Sequence, residues 1–119
     1  MLKPLSELVA DARRQCRTVD PEEARALLAA DPVPLLIDVR EPEEAVQHAV
    51  EGAINIPRGV LEMKLMAMCH NPMQPILIYC ATGGRAALSA VALQAVGYRD
   101  VRVILGDCES IACTLNQGA

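Results

Sequence analysis

The chain has 119 residues and a mass of 12.8 kDa, the size of one ordinary domain, and we expect a single domain over residues 1–119. Hydrophobic residues make up 52% of the sequence, but Trp and Phe are absent, so Leu, Ile, Val, Ala and Met have to form the core. The net charge of −4 and the pI near 5.1 argue against a basic surface that binds phosphates, and we expect no nucleic-acid partner.

The N-terminal residues predict a helix that precedes the core of the domain. Residues 4–14 carry apolar side chains at helical spacing. We therefore divide the domain into a helical extension, residues 1–16, and a core, residues 17–119. Charged residues interrupt the extension, so it does not resemble a secretory signal, and the longest uncharged stretch, residues 65–84, is too polar for a membrane span. We expect a cytoplasmic protein that does not associate with membranes.

The core begins with a predicted edge strand and a clear helix start. Residues 17–19 predict the strand. Asp20 is suited to the N-cap of a helix, Pro21 to its first position and Glu23 to its third, and this helix should run to about Ala30.

Two short apolar runs predict central strands of a parallel sheet. Residues 34–39 and 75–79 are rich in Leu and Ile and are bounded by turn residues, which is typical of strands buried on both faces. Further strands and helices are predicted at residues 53–56, 60–68, 87–95 and 101–104. The alternation predicts an α/β domain with a mostly parallel central sheet of about five strands and helices on both faces. Ligands of such sheets bind beyond the carboxyl ends of the strands.

A cysteine ends the second apolar run and begins the most informative segment. The segment consists of Cys80, Ala81, Thr82, Gly83, Gly84 and Arg85, and a predicted helix follows it. Two glycines let the chain curl so that successive N–H groups point inward, and the helix directs its positive end at the same place. These dipoles and the charge of Arg85 favour a thiolate at Cys80. An isolated cysteine is more often a small buried hydrophobe, but this order of residues indicates a reactive thiolate.

The same residues resemble the active-site loop of the rhodanese-like sulfurtransferases. The resemblance covers nearly everything from Arg17 onward, and its parts are the C-x-x-G-x-R segment at 80–85, residues 36–44, His48, residues 52–57, residues 97–98 and residues 101–106. It implies a rhodanese-like fold and a thiosulfate sulfurtransferase activity in which Cys80 carries sulfur as a persulfide. Residues 81–85 would then bind the anionic donor. We expect no cofactor, and no metal either, because the spacing of the cysteines matches no common ligand pattern.

The resemblance also implies the reaction partners. A small sulfur donor such as thiosulfate or a persulfide would load Cys80, and cyanide or a thiol would accept the sulfur, with a sulfur-relay protein as a possible partner. Two alternatives stay open. One is a non-catalytic binding or regulatory module, which the altered C-terminal end around Asp107 and Ile111 suggests. The other is a phosphatase or arsenate reductase, which the four-residue spacing between Cys80 and Arg85 disfavours because a smaller ring suits a sulfur atom better than a phosphate.

Several other residues are interpreted as structural or solvated. Asp38 and Arg40 follow a central strand and are expected to support the loop as an ion pair or anchor. Carboxylates at 41, 43 and 44 fit the exposed first turn of a helix. His48 is expected on the surface or in packing, and a helical core position explains the methionines Met63, Met66 and Met68. The remaining cysteines are expected to be free thiols of a reducing compartment, at Cys16, Cys69, Cys108 and Cys113.

Overall fold

The computed structural model describes residues 1–117, and within them five strands alternate with six α-helices. The strands are β1 (Arg17–Val19), β2 (Leu35–Asp38), β3 (Ile54–Asn55), β4 (Ile76–Tyr79) and β5 (Val101–Ile104). The helices are α1 (Leu5–Gln15), α2 (Pro21–Leu28), α3 (Pro42–Ala45), α4 (Leu61–Met68), α5 (Gly84–Val96) and α6 (Cys108–Leu115), and a short 3-10 helix covers Arg58–Val60. No helix of this described part is long and apolar enough to span a membrane.

All five strands pair in parallel, in the order β1-β5-β4-β2-β3. The predicted α/β fold with a parallel sheet is therefore confirmed. β4 lies at the centre of the sheet and all four of its residues are buried, as its continuous apolar run indicates. β1 is an edge strand, as predicted, and β3 forms the other edge.

Side chains of the central strands alternate between two apolar layers, one on each face of the sheet. Ile76 and Ile78 of β4 pack in the layer covered by α4 and α5. Leu77 and Tyr79 pack in the opposite layer, which α2 and α6 cover. The prediction of helices on both faces is confirmed by these two layers, and the carboxyl ends of β2 and β4 lie side by side between them.

The start of α2 forms as its sequence predicts, but its end comes earlier. The Asp20 side chain accepts a hydrogen bond from the Glu23 N–H, and the Glu23 side chain accepts one from the Asp20 N–H. The helix ends at Leu28 rather than near Ala30, because the N–H groups of Ala29 and Ala30 donate to carbonyls three residues earlier, which tightens the last turn.

The core placement predicted for three methionines of the fourth helix is wrong. Met63, Met66 and Met68 are 67%, 47% and 54% exposed. α4 has only eight residues, and Leu61 and Leu65 fill its buried side completely. The methionines therefore occupy the other faces of a helix whose apolar residues extend around its circumference.

The N-terminal helix is packed against the body of the domain. α1 lies along α5, and Ala12 on its inner side is buried. Near the start of α5, a Cβ atom placed on Gly84 would come 3.5 Å from a methyl group of Val9. This close packing brings the C-terminal half of α1 to the end of the sheet at which β4 leads into α5.

Candidate functional site

Cys80 lies at the carboxyl end of β4, with its sulfur enclosed by backbone N–H groups. The residue is only 1% exposed. Its Sγ accepts a hydrogen bond from the N–H of Gly83 at 3.0 Å and a longer one from the N–H of Ala86 at 3.4 Å. The first turn of α5 contributes the second donor, so the positive end of that helix points at the sulfur. Such a setting stabilises negative charge on sulfur.

Gly83 makes this loop possible through its backbone conformation. Its φ of 103° lies in the region that residues with a side chain rarely adopt. The curl at Gly83 turns its own N–H toward the Cys80 sulfur and starts α5 one residue later. The position of this N–H donor therefore depends on a residue without a Cβ atom.

Replacing Gly83 with alanine is expected to lower the free energy of unfolding by about 1–2 kcal/mol, because the new Cβ makes the positive φ costly. The matched control is Gly84→Ala, since Gly84 is helical and a Cβ there meets only ordinary contacts. Urea unfolding of both variants measures the difference. Equal stability of the two variants would contradict the strained geometry of Gly83.

Arg85 is paired with a carboxylate from a different element. Its two terminal nitrogens donate to both oxygens of Glu44, at 2.7 and 2.9 Å. The prediction that Glu44 only faces solvent is therefore wrong, and the fixed pair also raises the pKa of Arg85. The positive charge of Arg85 is largely balanced by this partner instead of being free for a substrate.

The pKa of Glu44 falls from its ordinary 4.5 to about 2. The main cause is the pair of hydrogen bonds from Arg85, and the second is the hydrogen bond from the backbone N–H of Glu41. A lowered pKa in the folded state means that ionised Glu44 stabilises the fold above pH about 4.5, and that this contribution is lost as pH falls toward 2. The stability difference between the wild type and Glu44→Gln should be constant above pH about 4.5 and shrink below it. Urea unfolding across pH measures this. A difference that does not change with pH would argue against the pair in solution.

Asp38 and Arg40 form a buried ion pair at the carboxyl end of β2. Each residue is 2% exposed. The Arg40 Nη2 atom donates to Asp38 Oδ2 at 2.8 Å, and the Nε atom donates to both carboxylate oxygens. The Asp38 carboxylate raises the pKa of Arg40, and the remaining Arg40 nitrogen donates to the carbonyls of Glu44 and Gln47. The pair therefore holds α3, which carries the partner of Arg85.

Tyr79 lies beneath the Arg40 guanidinium, whose central carbon is 5.9 Å from the ring centroid. Burial and then the negative charge of Asp38 raise the pKa of Tyr79. Among residues 1–117 its hydroxyl has no hydrogen-bond partner. The neutral phenol is therefore the form that the fold accommodates.

One residue of the loop, Ala81, borders a cavity of about 310 Å³. Ala81, His48 and Cys108 line it, and the N–H of Cys108 donates to the Ala81 carbonyl at 3.0 Å. His48 is exposed, at a φ of 51°. Sequence reasoning gave Cys108 no relation to the loop, because only the docking of α6 brings its first residue there. Within the described residues no three His, Cys, Asp or Glu side chains form a candidate metal-ligand group.

The family model of the rhodanese-like domain matches residues 20–112. The chain belongs to this family. The rhodanese-like domain is 33% identical over 78 residues to a mitochondrial thiosulfate sulfurtransferase of Schizosaccharomyces pombe, covering 56% of this chain and 55% of that protein. It is 32% identical over 65 residues to the Escherichia coli thiosulfate sulfurtransferase PspE, covering 55% of this chain and 62% of the relative.

A solved structure agrees with these matches. The human single-domain sulfurtransferase TSTD1 superposes on this rhodanese-like domain with a TM-score of 0.67 and 29% identity, covering 77% of this chain and 91% of that one. These two curated relatives are thus matched over 55% and 62% of their length, whereas the human structure is matched over most of its chain. The predicted resemblance is confirmed at the level of family and fold.

Proposed function

We propose that this protein is a sulfurtransferase that moves a sulfane sulfur from a donor such as thiosulfate to cyanide or a thiol through a persulfide on Cys80. The observation that supports this most directly is the pair of N–H donors at the Cys80 sulfur. Membership in the rhodanese-like family and the names of the relatives support the same reaction class.

The first half of the reaction loads the enzyme. The Cys80 thiolate attacks the outer sulfur of thiosulfate, a sulfur–sulfur bond forms, and the bond to the sulfonate sulfur breaks, so that sulfite leaves with the electron pair. The new terminal sulfur carries the negative charge and is stabilised by N–H groups of the loop and the positive end of α5. No general base is needed when the thiol is already ionised.

The second half regenerates the thiolate. Cyanide or a thiolate attacks the terminal sulfur, and Cys80 leaves as thiolate, so no oxidant or reductant is consumed. The cavity beside Ala81 leaves room for a small acceptor or for the cysteine of a sulfur-relay protein. We place the reaction in the cytoplasm, supported by five cysteines that are all free thiols.

Loop length supports sulfur over phosphate as the group that is bound. Four residues separate Cys80 from Arg85, and the N–H groups of Gly83 and Ala86 already lie within hydrogen-bond distance of the sulfur. A tetrahedral phosphate would require a wider ring than these N–H groups form.

The test is to incubate the reduced protein with thiosulfate and to measure its intact mass. A gain of one sulfur on the peptide that contains Cys80, followed by thiocyanate release on adding cyanide, is the expected result. If neither thiosulfate nor a persulfide donor adds sulfur, the proposal fails and a binding module becomes the better interpretation. Release of phosphate from an aryl phosphate would favour the phosphatase.

A further inference from the structure

The N-terminal helix places an arginine beside Thr82 and Gly83 of the cysteine loop. The Arg13 Nη2 atom is 3.4 Å from the Thr82 carbonyl oxygen, within hydrogen-bond distance. A Cβ atom placed on Gly83 would lie 2.8 Å from the same nitrogen. Two neighbouring positions of the loop are therefore in reach of one side chain. The family match begins at residue 20, so α1 lies outside it.

Arg13 also differs from Arg85 in its charge balance. None of the ion pairs among the residues that the structure describes involves Arg13. Arg85, by contrast, donates to both oxygens of Glu44. The unbalanced positive charge at the loop is thus that of Arg13. Its side chain is exposed and uses a single N–H on Thr82, which leaves further donors for an incoming anion.

We propose that Arg13 binds the anionic end of the sulfur donor and makes thiosulfate and other thiosulfonates the preferred donor class. This inference rests on the proposed sulfur transfer. When the Cys80 thiolate attacks the outer sulfur, the electron pair of the broken sulfur–sulfur bond stays with the sulfonate group, which leaves as sulfite or sulfinate. A guanidinium beside the loop attracts that group before the attack and balances its charge as it departs, and it keeps its own proton throughout.

The first test compares donor affinity among matched variants. Arg13→Gln should raise the KM for thiosulfate by about fivefold to tenfold, the effect of one nearby charge on an anion at the protein surface. Arg13→Lys should stay within about threefold of the wild type because it keeps the charge. The control is Arg14→Gln, which removes the same charge from the adjacent residue, already paired with Asp11. Equal effects of Arg13→Gln and Arg14→Gln would overturn the inference.

The second test needs no sulfur transfer and so separates this inference from the proposed function. Iodoacetate is an anion, iodoacetamide is its neutral counterpart, and both alkylate a thiolate. The rate of each reaction at Cys80 is measured by mass spectrometry of its peptide. Arg13→Gln should lower the iodoacetate-to-iodoacetamide rate ratio by about threefold or more, whereas Arg14→Gln should leave it nearly unchanged.

The outcomes of the two tests distinguish their causes. A lowered ratio in a protein that accepts sulfur neither from thiosulfate nor from a persulfide donor would sustain the anion-binding role of Arg13 and refute the sulfurtransferase. An unchanged ratio refutes the role of Arg13 whatever the protein transfers. If Arg13 only held α1 in place, its replacement would change both alkylation rates together, and the unchanged ratio would again refute the inference.

Discussion

Replacing Cys80 with serine is expected to lower thiocyanate formation from thiosulfate and cyanide by more than about a thousandfold, because the hydroxyl is not ionised at neutral pH and cannot carry a persulfide. The same variant should gain no sulfur in intact-mass measurements. Since Cys80 is buried and serine is close to it in size, the fold should persist, which thermal unfolding checks.

The matched control is Cys113→Ser, which changes the same atom at an exposed position of α6. It should load sulfur and release thiocyanate like the wild type. If the sulfur instead stays on the protein in Cys80→Ser and disappears in Cys113→Ser, the mechanism is wrong about its nucleophile. The two variants thus distinguish a role that is specific to Cys80 from the effect of removing any thiol.

Replacing Asp38 with alanine is expected to lower the free energy of unfolding by about 3–5 kcal/mol, because it leaves the Arg40 guanidinium buried without its counter-charge. The loss should extend to activity. Arg40 also donates to the carbonyls of Glu44 and Gln47, so a displaced Arg40 releases the helix that holds Arg85. Urea unfolding and thiocyanate formation measure the two effects.

Asp100→Ala provides the matched comparison for Asp38→Ala. Asp100 also pairs with an arginine two residues away in sequence, Arg102, and more loosely with Arg17, but all three side chains are at least partly exposed. Such a pair contributes about 0–1 kcal/mol. The difference between the two variants therefore measures the effect of burial. A loss of less than about 1 kcal/mol for Asp38→Ala would show that solvent replaces the missing carboxylate.

The fold could be predicted because its signals are local. Short apolar runs such as residues 34–39 and 75–79 are typical of buried parallel strands, and Asp20 with Glu23 marks a helix start within four residues. These signals require no knowledge of tertiary packing. The cysteine loop was recognisable for the same reason, since strand, glycines, arginine and helix follow one another in sequence.

The side-chain contacts that complete the site could not be predicted, because they join distant parts of the chain. Glu44 and Arg85 are 41 residues apart, and Arg13 and Thr82 are 69 residues apart. Their meeting depends on how α3 and α1 dock, which helical periodicity does not specify. Periodicity also misplaced Met63 in the core, because a helix with apolar residues on all sides does not reveal which side is buried.

The pairing of β1 with β5 sets an order for the assembly of the domain. Arg17 is opposite Arg102 and Val19 is opposite Ile104, so the first strand of the chain has no partner until the last strand exists. During synthesis, which proceeds from the N-terminus, β1 has to wait for almost the whole domain to emerge. The nascent chain thus carries β1 without a strand partner while the cysteine loop is already complete, and the edge of the sheet formed by β1 is added last.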